Sequence, residues 1–214
     1  MLITTVFMMN SKENTDMQIS DLAVLTAGVI TSRVLIGEKS DPTVDSKDSF
    51  YGKTIKVLVP KAIHDGKVDH SLLAVEQQNR EISLDYLTQE GDIVMKFSSP
   101  YDSCLITDKD EGLLIPSFCC KIRIKDFNQI DKFFLLAYLC SGRCKAELKN
   151  KCYGSVMAIT KKSDVMKIDV PVFSIEEQKS IGKRYQTVQV LREKLEEYNR
   201  LENERLDAVF GGNV

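Results

Sequence analysis

Three charged residues near the end of the chain have a spacing that could hold a metal ion. Asp169, Glu177 and Lys179 follow the order in which a metal-dependent nuclease sets carboxylates around Mg²⁺ beside a lysine. Glu177, however, lies three residues after Ser174, where a capping box would use its carboxylate on a backbone N–H group. Lys179 would lie on the exposed start of the same helix. We therefore interpret the match as chance, and predict neither a catalytic residue nor a bound metal here.

A second stretch that could do chemistry is Ser98-Ser99-Pro100-Tyr101. It resembles the Asn/Asp-Pro-Pro-Tyr loop of amino-methyltransferases, in which the polar residue holds the target amine and the aromatic ring stacks on a flipped base. The second proline is absent, and no glycine-rich turn for a methyl donor precedes the loop. Phosphate-binding Gly-x-x-x-x-Gly-Lys-Ser/Thr loops and Gly-x-Ser-x-Gly elbows are absent too. The sequence therefore predicts a protein without enzymatic activity and without a cofactor.

The six cysteines are predicted to be free thiols. None stands in the Cys-x-x-Cys spacing that builds zinc sites and redox centres, and without a secretory signal a disulfide framework is not expected. A zinc site that combines cysteines with His64 or His70 is the alternative, which the spacing does not favour.

No segment of the sequence predicts a membrane span. The longest apolar run, Phe133 to Cys140, is far shorter than the roughly 20 residues that cross a bilayer. Met1 to Met9 is apolar but lacks a basic start and a small-residue cleavage site. We interpret it as an N-terminal strand or tail, and we expect a cytoplasmic protein.

The last quarter of the chain is predicted to be a long amphipathic helix. Ser174 and Glu177 form a capping box, which starts it. About 36 residues correspond to roughly 54 Å of helix. Glu202 and Arg205 stand where the heptad calls for apolar residues; we expect them to neutralise one another across an antiparallel pair, and the alternative is that the seam shifts to Leu201 and the coil frays. The apolar residues recur at steps of three and four and form one narrow seam that requires a partner: Ile181, Tyr185, Val188, Leu191, Leu195 and Tyr198.

The charge of the chain is small overall but uneven. Its net charge of −2 argues against a protein that coats nucleic acid nonspecifically, since such proteins are basic. Between Lys121 and Lys162, however, ten Lys or Arg residues stand against three acidic ones, whereas residues 1–50 are acidic. One face could therefore contact phosphates. An ordinary solvated surface is the alternative.

The remaining sequence predicts a mixed, strand-rich domain of the α+β class. Strands are expected where apolar and polar residues alternate or where short apolar runs end in turns: 54–60, 82–86, 93–97, 113–115, 118–124 and 167–170. Residues 131–140 are too apolar on all sides for a surface helix and should pack into the core. Further helical segments are expected at 143–151 and 161–165, and a long loop at 33–52. We place the domain at residues 1–171 and the coiled-coil helix at 172–214.

The segment that leads into the long helix carries a family resemblance. Ile168-Asp169-Val170-Pro171, followed by apolar residues and Glu176-Glu177-Gln178, resembles the end of a target recognition domain in the specificity subunits of type I restriction-modification systems. Over residues 18–210, further stretches are similar to landmarks of that domain in the same order: 19–28, 57–59, 65–69, 87–94, 133–139, 154–155 and 159. Members of the family commonly carry two such domains and two connecting helices in one chain. This chain has one of each and a single proline at the helix entry, so it looks like half a subunit.

The resemblance implies a non-catalytic subunit that binds double-stranded DNA in a sequence-specific way. Contacts to phosphates would position the domain, and contacts to base edges would specify the target. The residues expected at phosphates are Arg143, Lys145, Lys149, Lys151, Lys161 and Lys162. Those expected to read bases follow the strand after Gly91-Asp92, with ordinary loop polarity as the alternative: Lys96, Ser98, Ser99 and Tyr101.

The resemblance also implies partners for the helix. In the family the connecting helices pair in an antiparallel coiled coil, which separates two recognition domains and docks the modification (adenine methyltransferase) subunits, in complexes that also include restriction subunits. A chain with one helix could restore this layout as a homodimer, whose twofold symmetry predicts a target of two inverted half-sites. The alternative from another class is an adaptor or regulator that docks to restriction-modification subunits through the helix and does not bind DNA.

Overall fold

The computed structural model describes residues 15–37, 49–152 and 159–211. The predictions for Met1 to Met9, for Gly154-Ser155 and for most of the 33–52 loop lie outside the described residues. The strands are β1 (Thr15–Gln18), β2 (Ala23–Ala27), β3 (Thr54–Val57), β4 (Ile63–His64), β5 (Lys67–Val68), β6 (Ala74–Gln77), β7 (Ile93–Lys96), β8 (Ser103–Leu105), β9 (Cys119–Ile124) and β10 (Asp169–Val172). The α-helices are α1 (Ile19–Leu22), α2 (Lys132–Leu139), α3 (Gly142–Lys151), α4 (Lys162–Met166) and α5 (Ile175–Phe210).

Four strands form a central antiparallel sheet in the order β2-β9-β7-β8. Ile93, Val94 and Met95 of β7 are fully buried, as expected for a short apolar run that is covered on both faces. β9 pairs with β2 on one side and with β7 on the other. The core strands predicted at 93–97 and 118–124 are confirmed.

The alternation of side chains along β9 separates two layers of the core. Cys120, Ile122 and Ile124 pack in the apolar cluster that includes α2. On the other face, Lys121 is 3% exposed and donates from its Nζ to the carbonyl of Leu87 at 2.9 Å. Burial lowers the pKa of this lysine, because charge is disfavoured away from water. This lysine is therefore a structural contact inside the domain.

Two of the predicted strands take other forms. The strand predicted at 82–86 is wrong, because Leu84–Tyr86 is a 3₁₀ helix. Ser83 caps it by accepting the N–H of Asp85 on its Oγ at 3.3 Å, and such local bonds compete with the ladder of a strand. Residues 113–115 contribute isolated bridges, in which Leu114 meets Val57 and Leu87, and no strand.

The two predicted central helices are confirmed. Asp131 caps α2 by accepting the N–H groups of Phe133 and Phe134 at 3.0 and 2.9 Å. Most of α2 is buried, in agreement with its apolar sequence. Ser141 caps the basic helix α3, so the short break between the two helices is a serine cap.

The long helix α5 starts as the sequence indicates. Ser174 accepts the N–H of Glu177 on its Oγ, and the Glu177 carboxylate accepts the N–H of Ser174 at 3.1 Å. The preceding strand β10 pairs with β1 and places Pro171 opposite Asp16, at a sheet edge where a proline is tolerated. Because β10 runs to Val172, the domain boundary predicted after residue 171 falls within a strand.

The first turns of α5 are packed on the domain. Gln178 is fully buried; its Oε1 accepts the N–H of Asp131 at 2.9 Å, and its Nε2 donates to the carbonyls of Gln129 and Phe173. A Cβ on Gly182 would lie 2.7 Å from the Asp131 carboxylate, so α5 crosses the start of α2 closely at this glycine. The predicted α+β class with a long C-terminal helix is confirmed. Among the described residues, no helix is long and apolar enough to cross a membrane.

Candidate nucleic-acid interface and helical arm

Several chain segments meet at one end of the central sheet. Phe97 donates its N–H to the carbonyl of Phe118 at 2.9 Å, and Ser98 forms a bridge with Ile159. Gly28, just after β2, donates to the neighbouring end of β9 at 3.0 Å. Ser98 and Ser99, which are expected to read bases, therefore lie beside the segment of Lys161 and Lys162, which are expected at phosphates. We call the exposed residues of this region the sheet-end surface: Ile30, Ser99, Phe118, Ile159, Lys161 and Lys162.

Two other expected DNA contacts are engaged in an ion-pair cluster. Asp102 accepts from Lys96 on one oxygen and from Lys145 on the other, each at 2.8 Å. Burial would raise the pKa of the Asp102 carboxyl, but the hydrogen bonds from both lysines outweigh it, so the pKa is lowered. The cluster ties β7 to α3, and both lysines face a carboxylate in the unbound chain.

Tyr101 lies in the core and not on the surface. Its side chain is 2% exposed and packs in the same apolar cluster as α2. Burial and a hydrogen bond with Cys152 raise its pKa to about 12. A ring in this position cannot stack on a base without leaving the core, so we remove Tyr101 from the candidate base contacts. Ser99 in the same loop remains exposed.

The basic helix α3 lies against α4. Lys151 at the end of α3 donates to the carbonyl of Lys167 at 2.9 Å, and its Nζ also bonds the Glu147 carboxylate at 2.7 Å. This lysine is therefore partly neutralised. Arg143 and Lys149 on α3 are exposed. Together with Lys161 and Lys162 of the sheet-end surface they are the expected phosphate contacts that carry solvent-accessible charge.

The seam on α5 divides into two parts. Ile181 and Tyr185 are partly buried against the core of their own domain, so they are not free for a second helix. Burial raises the pKa of Tyr185. The four remaining predicted residues are 45, 60, 60 and 64% exposed: Val188, Leu191, Leu195 and Tyr198. At about 100° per residue they lie on a face turned away from Gln178 and Gly182.

The two charged residues on the seam contact each other within the same helix. Arg205 lies 3.8 Å from Glu202 between Nη1 and Oε2. Both are exposed, so the pair contributes little stability. The expectation that they neutralise one another across an antiparallel pair stays a prediction.

Charge is segregated along α5. From Lys183 to Lys194 the helix carries four Lys or Arg residues and one Glu. From Leu195 to Phe210 it carries five acidic residues and two Arg. The part next to the domain is therefore basic, and the distal part is acidic.

Two features of the described residues bear on metal and thiol chemistry. Among residues 15–37, 49–152 and 159–211, no group of three His, Cys, Asp or Glu residues could hold a metal ion. Glu177 is bonded to Ser174, as the capping box predicts. Burial raises the pKa of the Cys119 and Cys144 thiols to about 12, so these cysteines are protonated at neutral pH and weakly nucleophilic.

Comparison with known proteins identifies the fold. No protein-family model and no curated protein matches the chain. Among solved structures, a chain from a type I restriction-modification system, studied for complex assembly and conformational transition, matches 89% of this chain at a TM-score of 0.61 and 16% identity. The HsdS subunit of Thermoanaerobacter tengcongensis matches 97% of it at a TM-score of 0.55 and 15% identity. The chain has the fold of a type I specificity subunit.

The match to the specificity-subunit fold covers part of the known structures. This chain spans 45% of the first matched chain and 47% of the HsdS subunit. One strand-rich domain and one long helix thus correspond to somewhat less than half of each structure, which is consistent with a half-subunit. The fold predicted from the family resemblance is confirmed.

Sequence reasoning missed two residues of the candidate interface. Asp102 pairs with Lys96 and Lys145, but Lys145 lies 43 residues away and no local pattern links the two. Phe118 has the same parity as Cys120 along β9, which predicts burial, yet it is 62% exposed. Phe118 precedes the first residue of β9 and lies in a turn in which Cys119 donates its N–H to the carbonyl of Pro116 at 2.9 Å, so the alternation of the strand does not extend to it.

Proposed function

We propose that this protein is a non-catalytic, DNA-binding specificity subunit of a type I restriction-modification system, and that it acts as a half-subunit. The observation that carries the proposal is the match to the specificity-subunit fold, at a TM-score of 0.61 over 89% of this chain and 45% of the matched one. The recognition domain binds one half of a bipartite duplex target. The helix recruits a DNA adenine methyltransferase subunit, and through it a restriction subunit, to that target in the cytoplasm.

The second half-site is read by a second copy of the chain. The exposed seam residues Val188, Leu191, Leu195 and Tyr198 lie away from the domain, so two helices can pack along them. The charge segregation of α5 favours an antiparallel pair, because a basic proximal part then faces an acidic distal part, whereas a parallel pair would place like charges side by side. Twofold symmetry gives two inverted half-sites.

The dimer is tested by light scattering on Leu191→Glu/Leu195→Glu. The wild type is expected at twice the chain mass of 24.2 kDa, and the variant at the mass of one chain, because two charges enter the seam of each helix. Val190→Glu/Asn203→Glu is the matched control, since it also adds two charges to each helix at exposed positions that lie on other faces of the helix. A wild-type monomer would contradict the homodimer and leave the seam to another protein.

The DNA-binding role is tested by selection from random duplex DNA with the full chain. We expect an enriched target with two inverted half-sites. Arg143→Glu/Lys149→Glu should weaken binding across all sequences, because phosphate contacts carry no sequence information. Lys109→Glu/Lys179→Glu is the control, because it makes the same change in charge at exposed positions of other segments. Equal losses in both pairs would indicate a nonspecific effect of net charge.

The competing function is an adaptor or regulator that docks to restriction-modification subunits without binding DNA. The net charge of −2 favours it, since most DNA-binding domains are basic. It predicts a wild type that binds no duplex above background at low salt and still forms a complex with a methyltransferase subunit. That result would overturn the proposed DNA-binding role.

A further inference from the structure

We infer that Phe118 is a base-contacting residue, and that its ring packs against the bases of the bound duplex at the sheet-end surface. The inference rests on the proposed DNA-binding function and names a residue that the family resemblance does not supply. Apolar side chains reach bases in two ways: phenylalanine contacts the methyl group of thymine in the major groove, or it enters a base step as a wedge.

The backbone around Phe118 is held rigidly. Its carbonyl accepts the N–H of Phe97 at 2.9 Å, and on either side Ser117 donates to the carbonyl of Val29 at 2.8 Å and Cys119 to that of Pro116 at 2.9 Å. These bonds fix the main chain from which the side chain projects, so only the rotamer of the ring has to be ordered when a ligand binds. Rigid elements position recognition residues better than mobile loops.

The ring lies largely outside the core, at the edge of a cavity of about 270 Å³ that it lines together with Thr31 and Pro60. Phe118 is 62% exposed, whereas Phe97 beside it is 7% exposed. Ile30 and Ile159 on the same surface are 45 and 39% exposed. Single exposed apolar residues are common, but here an aromatic ring and two isoleucines gather at the meeting point of several segments, and such groups mark binding surfaces.

Charge complementarity identifies DNA as the occupant. Lys161 and Lys162 border this apolar group and are exposed. The backbone places them there: Thr160, just before Lys161, donates its N–H to the carbonyl of Phe97 at 2.8 Å, and Phe97 donates its own N–H to the carbonyl of Phe118 at 2.9 Å. Ser99 adds an exposed hydroxyl. Glu76 also lines the cavity beside Phe118, so we place the phosphates at the lysines and the base edges at the ring.

The test separates base contact from phosphate contact by salt dependence. Binding of the selected duplex to the full chain is measured over a series of salt concentrations. Phe118→Ala should weaken binding by about 5- to 100-fold with an unchanged salt slope, because a neutral ring releases no counterions. Lys161→Ala/Lys162→Ala should reduce the slope by about 2, since each phosphate contact contributes about 0.9. Phe118→Leu should lose less than Phe118→Ala.

Phe127→Ala is the matched control. Phe127 is 55% exposed but lies near Gly91, just before the start of β7, at the other end of the sheet, so its loss should leave affinity unchanged. Unaltered thermal unfolding of each variant confirms folding. Binding by Phe118→Ala equal to that of the wild type would overturn the inference and leave the proposed function standing, as would equal losses in Phe118→Ala and Phe127→Ala. Absence of binding by the wild type would instead overturn the proposed function itself.

Discussion

Gly182 should respond to substitution in the opposite way to an ordinary helical glycine. It lies inside α5, where replacement of glycine by alanine usually stabilises a helix by about 1 kcal/mol. At Gly182, however, the new Cβ would lie 2.7 Å from Asp131 Oδ1 and 2.9 Å from the Cβ of Phe133. Both distances are too short for non-bonded atoms, so α5 or the start of α2 has to move.

The size of the effect follows from what has to move. Asp131 Oδ1 accepts two N–H groups of α2, and loss of such a cap costs about 1 kcal/mol. Overpacking at a close helix crossing costs about 1–3 kcal/mol. After the gain in helix propensity is subtracted, we expect Gly182→Ala to lower the free energy of unfolding by about 2 kcal/mol, which corresponds to a Tm decrease of about 4–8 °C for a chain of this size.

Thermal unfolding followed by circular dichroism measures the difference. The control is Gly142→Ala in the first turn of α3, because a Cβ on Gly142 meets nothing within 4 Å. This variant should be unchanged or stabilised by up to about 1 kcal/mol. If Gly182→Ala also raised the Tm, the close crossing of α5 and α2 would be refuted, and with it the fixed attachment of the helix to the domain.

Three further results are expected. Asp102→Asn should destabilise the chain by about 1–3 kcal/mol in urea unfolding, because both of its lysine partners lose a charged acceptor. The pKa of Asp102 in the folded chain is below its ordinary 3.8. The difference in stability between the variant and the wild type should therefore be complete above about pH 5 and disappear as the pH falls through the folded pKa. Gln178→Leu leaves a buried N–H and two carbonyls unpaired and should lower the free energy of unfolding by about 2–4 kcal/mol. Gln186→Leu on the same helix should lower it little. Equal losses of stability in the two variants would contradict the role of the hydrogen bonds. Cys119, with a pKa raised to about 12 by burial, should react with a thiol reagent only on unfolding, and rapid labelling of the native chain would show that this part of the sheet opens.

Elements with strong local signals could be predicted from the sequence. The capping box at Ser174, the all-round apolar character of α2 and the alternation of β9 each depend on neighbouring residues, and each is found in the structure. The prediction of a strand at 82–86 is wrong because Ser83 caps a 3₁₀ helix there. Local hydrogen bonds from a serine compete with a weak alternation of apolar residues, and a short pattern cannot decide between them.

The candidate interface could be predicted only in part, because it depends on contacts between distant segments. The sequence locates the lysines of α3 and α4 but not their partners. Lys145 is bound to Asp102. Tyr101, which follows a proline and is predicted at the surface, lies in the core. Whether a charged or aromatic side chain is available to a ligand depends on what the fold places opposite it, and that information is absent from spacing along the chain.

The attachment of α5 gives the helix two functions that a coiled-coil pattern alone would not distinguish. Its first turns, around Gln178 and Gly182, fix the direction in which the helix leaves the domain, and the exposed seam begins only at Val188. Val209 beyond the seam is 66% exposed and lies on the same face of the helix as Leu191. If the proposed antiparallel pair overlaps from Val188 to Val209, its twofold axis lies near Tyr198. From Gly182 to that axis is about 24 Å at about 1.5 Å per residue, so the two attachment points are about 48 Å apart. With a rigid crossing at Gly182, the length of the helix would set a fixed distance between the two half-sites, so the dimer would bind only targets with a spacer of matching length. With a flexible attachment of the same helix, targets with different spacers would be bound equally well.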